Sequence, residues 1–197
     1  MRAQTTEAFQ QVTDDKIATV PRTRWHRTRT IAYWIFTVLL VFELIAGSVW
    51  NLEPIEWVHV QLNHLGYPLY FAYILGLWQI GGAAVLIAPS LPRLKEWAYA
   101  GAFFEFSGAV ASHLLASDGA EVWRVPLAYA AIVVASWALR PADRRLSDAK
   151  PPPETRPLAW AVPIGIFILM YVVAYLTLPM VNIGMHKRAL DLGWIAR

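Results

Sequence analysis

Apolar residues fall into five runs along the chain: Ile31–Trp50, Pro68–Ala88, Trp97–Ala116, Trp123–Leu139 and Leu158–Pro179. A helix rises about 1.5 Å per residue, so some 20 apolar residues cover the roughly 30 Å hydrocarbon core of a bilayer. Four runs meet that length and Trp123–Leu139 approaches it, with Pro126 in its first turn, where proline costs little. The pattern predicts an all-α membrane protein. Residues 31–140 are expected to form an antiparallel four-helix transmembrane bundle, and residues 158–180 an appended fifth transmembrane helix. Residues 1–30 read as a polar, basic tail without the apolar core of a signal peptide. Residues 141–157 read as a charged, proline-rich linker, and 181–197 as a C-terminal tail. Between the first two runs, Leu52–Tyr67 mixes aromatic, acidic and histidine residues, which fits a short amphipathic helix lying over the bundle mouth.

Composition supports this picture. The chain is 57% hydrophobic and only 16% charged, where soluble domains carry about 25% charged residues. It has no cysteine, which excludes a thiol nucleophile, a thiolate metal site and a dithiol redox pair. The net charge of +3 does not call for nucleic acid, because its distribution has another reading. Of the 17 basic residues, 13 lie in the N-terminal tail, the turn after the second run and the linker after the fourth. With five spans these all fall on one side. Basic residues favour the cytoplasmic side, so the N-terminus is expected inside and the C-terminus outside a bacterial plasma membrane. Trp50, Trp57, Trp97, Trp123, Trp137 and Trp160 sit near run ends, where indoles favour the headgroup layer. Trp78 is mid-run, and helix packing is the simplest expectation for it.

The stretch from His64 to Asp118 carries HLGYP, LGLWQIGGAAVLIAP, PRLKEWAYAG and GAVASHL in order. These pieces resemble the DoxX-like family of small bacterial membrane proteins, over about residues 30–140. The resemblance implies a four-helix membrane bundle. It also implies a redox association, since the DoxX name comes from a membrane subunit of a thiosulfate:quinone oxidoreductase. The fifth run and the basic tail extend beyond the usual four-helix unit.

Two acids interrupt the apolar runs, Glu43 and Glu105. A charge at the bilayer centre costs at least about 2.5–3.5 kcal/mol, so such residues mark function by default. Counted from the basic side, Glu43 lies about 18 Å deep, Gln79 about 14 Å and Glu105 about 12 Å. Three polar side chains from three helices thus share one layer. Gly101, Glu105, Gly108 and Ser112 recur on one helical face, as do Ala72, Gly76, Gln79 and Ala83. Small residues mark close helix packing, so both stripes are expected to face the bundle interior. Two carboxyls in one layer suit proton relay or acid–base chemistry; the alternative is interhelical glue.

His113 lies about 24 Å deep, with His59 and His64 in the loop above it. With the acids, these histidines could offer metal, haem or proton-relay chemistry, although each alone is more simply a solvated or headgroup-facing residue. No tight metal-ligand spacing is present, no metal site is expected, and the sequence identifies no cofactor. Tyr67, Tyr70, Tyr73 and Trp78 could line an apolar cavity for a lipophilic or quinone-like molecule; an interfacial belt is the plainer reading. The candidates are therefore Glu43, Glu105 and His113 for proton chemistry, and Gln79, Trp78, His64 and Tyr67 for holding a ligand. Two functions fit: a redox-associated membrane enzyme or oxidoreductase subunit, or a non-catalytic membrane scaffold for other subunits.

Overall fold

The computed structural model describes residues 22–141, 144–145 and 157–196. The N-terminal tail before Arg22 and most of the proline-rich linker lie outside the described residues. Within them the chain forms six α-helices, one 3-10 helix and no strand. The α-helices are α1 (Arg22–Leu52), α2 (Glu56–His64), α3 (Tyr70–Ile87), α4 (Pro92–Leu115), α5 (Ala120–Leu139) and α6 (Ala161–Asp191). The 3-10 helix, Pro157–Trp160, leads into α6. Helix α1 begins at Arg22, well before the apolar run, because nothing in the polar stretch Arg22–Thr30 breaks a helix. Helix α2 is the short helix expected between the first two runs.

Four segments are long and apolar enough to cross a membrane: Trp25–Leu52, Tyr70–Ile87, Ala120–Leu139 and Leu158–Asp191. Helix α4 is long enough but less apolar, because it spends positions on Glu105, Ser107, Ser112 and His113. It carries polar side chains of both clusters described below, Glu105 in one and Ser112 and His113 in the other.

Helix α1 packs against α3, α5 and α6, and α4 packs between α3 and α5. The buried face of α1, Tyr33, Thr37, Leu40, Val41, Leu44, Ile45, Ser48 and Val49, repeats every three to four residues. It meets Ala83, Leu86, Tyr99, Phe106 and Val133 in the main core. Helix α6 is not simply appended: Ala174, Phe167, Met170 and Tyr171 join that core, and its C-terminal half packs on α2. Its outer surface stays apolar and uncovered, as a lipid-facing helix requires.

The helix ends sort into two groups. At one end Arg29, near the start of α1, donates to the last carbonyls of α5, Leu139 O at 3.3 Å and Arg140 O at 3.1 Å. Lys95, from the first turns of α4, sits at this same end and is buried. Its Nζ donates to Val85 O at 2.6 Å, Leu86 O at 3.3 Å and Ala88 O at 2.5 Å. An ammonium has three N–H groups, and here three carbonyls at the end of α3 accept them, Leu86 O also accepting from Arg144 at 3.4 Å. Lys95→Met removes those donors and keeps the bulk. It is expected to cost about 1–3 kcal/mol, seen as a lower melting midpoint in detergent, while exposed Arg93→Met leaves the midpoint unchanged. An unchanged midpoint for Lys95→Met would show that the cap contributes nothing net.

Between this end and the bundle middle runs a buried hydroxyl chain. Thr37 Oγ1 donates to Tyr33 O at 2.7 Å, so the Ser136 hydroxyl must donate to Thr37 at 2.8 Å. The Tyr99 hydroxyl in turn donates to Ser136 at 2.9 Å. Helices α1, α4 and α5 are tied together without any charge.

Candidate functional site

The mid-helix layer forms in the structure. Gln79 on α3 donates from Nε2 to Glu105 Oε1 on α4 at 2.5 Å, and its Oε1 accepts from Asn51 Nδ2 on α1 at 3.0 Å. The Glu43 carboxyl meets the Tyr129 hydroxyl of α5 and lies near enough to Glu105 for the two charges to repel. Gln79 is thus the hub, its amide bonded on both its nitrogen and its oxygen.

Two glycines make room for it. A Cβ on Gly47 would stand 2.8 Å from Gln79 Nε2, and one on Gly76 would stand 2.8 Å from Leu52 Cγ. These contacts show that α1 and α3 approach closely here, as the Ala72–Gly76–Gln79–Ala83 stripe predicted; all four residues are buried.

The stripe on α4 behaves differently. Gly101 and Gly108 are exposed, and a Cβ on either would meet nothing within 4 Å. The buried face of α4 is instead Lys95, Tyr99, Ala102, Phe106 and His113. Bulky residues fill the interface, and the glycines leave an open notch on the outer side. Glu105 sits at the boundary, half-buried, with Gln79 behind it and the notch beside it.

The histidines form a second cluster at the opposite end from Lys95. His113 is 1% exposed, not solvated. Its Nδ1 bonds Asp118 Oδ2 at 2.7 Å and its Nε2 faces Gln61 Nε2 at 3.1 Å. An amide NH2 can only donate, so His113 Nε2 accepts and Nδ1 carries the proton given to Asp118. His64 Nε2 donates to the other carboxylate oxygen at 2.8 Å. Burial alone would raise the Asp118 carboxyl. The hydrogen bonds from His113 and His64 outweigh it and hold the group below the usual carboxylate range. Trp194 stacks on His64, with ring centroids 4.4 Å apart, and on Trp57 at 5.1 Å, and lies parallel to His113 at 6.2 Å. Nearby, the Tyr67 hydroxyl donates to Ser112 Oγ at 2.9 Å, since Ser112 itself donates to Gly108 O.

One local device builds this cluster three times. Helices α2, α4 and α6 each end with a residue of positive φ: Gly66 at 78°, Ser117 at 61° and Gly193 at 71°. In each case the next residue's N–H reaches back five positions, from Tyr67 to Leu62 O, Asp118 to His113 O and Trp194 to Ala189 O. This double-bonded helix ending reverses the chain direction. It delivers Tyr67, Asp118 and Trp194 to the same end.

The other candidates lie elsewhere. His59 is exposed. His186 pairs on the surface with Glu56 at 2.6 Å. Trp78 is 70% exposed and Tyr70 65%, so neither packs inward nor walls a cavity. The layer and the histidine cluster remain separate, about two helical turns apart on α4. Asp118, Gln61 and Trp194 were not singled out in the sequence. Among the described residues no group of His, Asp and Glu is arranged to hold a metal ion.

The family model described as the DoxX-like family matches residues 35–136. The chain belongs to the DoxX-like family. No curated protein and no solved structure matches it. The DoxX-like match spans most of α1 through α5, so it contains Glu43, Gln79, Glu105 and the His64–Asp118–His113 bridge. Helix α6 and Trp194 lie outside it. With its long apolar helices, this DoxX-like chain is an integral membrane protein in contact with lipid.

Proposed function

We propose that the protein is a redox-associated protein of the bacterial plasma membrane that binds a lipophilic, quinone-like molecule beside Glu105. The observation carrying this reading is the Gln79–Glu105 pair set at the edge of the open Gly101–Gly108 notch. A carboxyl there is reachable from the lipid phase and is anchored by Gln79. A polar ring oxygen entering the notch would meet Glu105, and Glu43 stands behind it as a second proton-holding group. The chain's own part is to bind the ring and handle protons. Without cysteine it supplies no thiol electrons, and no electron-transfer step is assigned to it. Helix α4 reaches from the Lys95 end to the His113 end, which supports five crossings in an antiparallel four-helix bundle plus α6. The basic end then faces the cytoplasm.

Binding of a short-chain benzoquinone to the detergent-purified protein, read by tryptophan fluorescence, tests the reading. Glu105→Gln and Gln79→Leu are expected to weaken binding about tenfold, the loss of one good polar contact. Glu43→Gln is expected to leave binding but alter its pH dependence. Unchanged binding in the Glu105 and Gln79 variants would sink the proposal and favour a non-catalytic scaffold.

A further inference from the structure

The Lys95 end concentrates positive charge that the described acids do not match. Arg29 and Arg145 share two acceptors: both donate to Arg140 O, at 3.1 and 2.9 Å, and both to Ala138 O, at 3.4 and 3.3 Å. Two guanidiniums are thereby held side by side on the negative end of the α5 dipole, which offsets only part of their repulsion. Arg144 lies over the Trp34 ring, 4.6 Å from its centroid. Among the described residues, the carboxylate paired to an arginine here is Glu96, taken by Arg140 at 2.6 Å. Even adding Asp143, adjacent in sequence and outside the described residues, four guanidiniums (Arg29, Arg140, Arg144, Arg145) outnumber two acids.

An apolar groove starts beneath these arginines. It is shallow and wide open, lined by one helix only: Thr30, Ile31, Trp34, Ile35, Val38 and Leu39 of α1. Arg29 precedes Thr30, and Arg144 covers Trp34, so the cations stand at its mouth. From residue 30 to residue 39 the helix rises about 13 Å, close to half of the roughly 30 Å hydrocarbon core. That is the depth of one leaflet.

We propose that this end holds one anionic phospholipid, its phosphate against Arg29, Arg144 and Arg145 and an acyl chain in the groove along α1. Charge decides the class. A zwitterionic lipid offers the same chains but brings its own cation toward the arginines, whereas an anionic headgroup meets only their unmatched charge. The site is independent of the quinone reading and lies on other residues.

Trp34 makes the test direct. The purified full chain is mixed with phosphatidylglycerol or phosphatidylcholine, each brominated on its acyl chains so that bound lipid quenches nearby indoles. Phosphatidylglycerol is expected to quench at lower mole fraction, and the preference to shrink in 1 M salt. Trp34→Phe removes the headgroup-dependent part of the quenching and leaves that of the other exposed indoles, such as Trp78 and Trp97. Arg29→Gln and Arg144→Gln each reduce the preference about fivefold, equivalent to roughly 1 kcal/mol per basic residue near an anionic headgroup. Exposed Arg93→Gln, in the first turn of α4, leaves it intact. The wild-type salt and headgroup comparison needs no variant, so misfolding cannot mask the result. Equal quenching by the two lipids overturns the proposal. So does absence of Trp34 quenching by both, which means that protein, either residues 146–156 or a second copy, fills the groove. Displacement by soluble glycerol phosphate would assign the arginines to a free phosphate instead.

Discussion

Asp118→Ala is expected to destabilise the protein by about 3 kcal/mol, the largest effect of any single change at the histidine end. The carboxylate accepts from His113 Nδ1 at 2.7 Å and from His64 Nε2 at 2.8 Å. Removing it leaves a fully buried imidazole N–H with no acceptor, and a bond to a charged group is worth about 1.5–3 kcal/mol. Asp118→Asn should recover about half. Its oxygen can still accept from His113, and half-exposed His64 can switch tautomer to accept from the new NH2. The pH dependence has a definite sign. The folded carboxyl titrates below the usual aspartate value of 3.8. Its stabilisation is therefore complete above that value and is lost as pH falls below it. As pH falls from about 4 to about 2, melting midpoints in detergent should drop in the wild type more steeply than in Asp118→Ala. Parallel curves would show that Asp118 is not the group whose protonation loosens this end.

The contrast between the two polar clusters explains what could be read from the chain. Helices α1, α3, α5 and α6 were legible because a lipid-facing helix must be apolar over a length set by the bilayer. The Glu43–Gln79–Glu105 layer was legible for the same reason: rise per residue is fixed, so depth can be counted. The histidine end was not. Its contacts join His113 to Gln61 and His64 to Trp194, pairs far apart in sequence with no periodicity to link them. Gly66 and Gly193 take the positive φ that glycine adopts readily, but Ser117 does the same work, which its residue type does not announce. The glycines of α4 misled because a small residue reports only that little space is filled. At Gly47 and Gly76 a neighbour occupies that space; at Gly101 and Gly108 nothing does. The stripe on α4 therefore faces open space and is not a helix contact.

Gly47→Val is expected to cost about 1–3 kcal/mol, and most of that cost should vanish when Gln79 is shortened to alanine. The three atoms nearest a Cβ at Gly47 all belong to the Gln79 side-chain amide, at 2.8 to 3.1 Å. Valine therefore strains the hub of the mid-membrane layer and little else. In Gln79→Ala the obstacle is gone, so the double variant should be markedly more stable than the sum of the single changes. Such non-additivity measures their coupling. Gly76→Val is the control, because its nearest atoms belong to Leu52 and Asn51. Its cost should remain in the Gln79→Ala background. Unfolding midpoints for the four combinations at each glycine decide the matter. Additive costs at Gly47 would mean that Gln79 does not sit against that glycine. Quinone binding offers a second readout of the same geometry. Gly47→Val should weaken it by displacing Gln79 from Glu105, without changing any group that faces the notch.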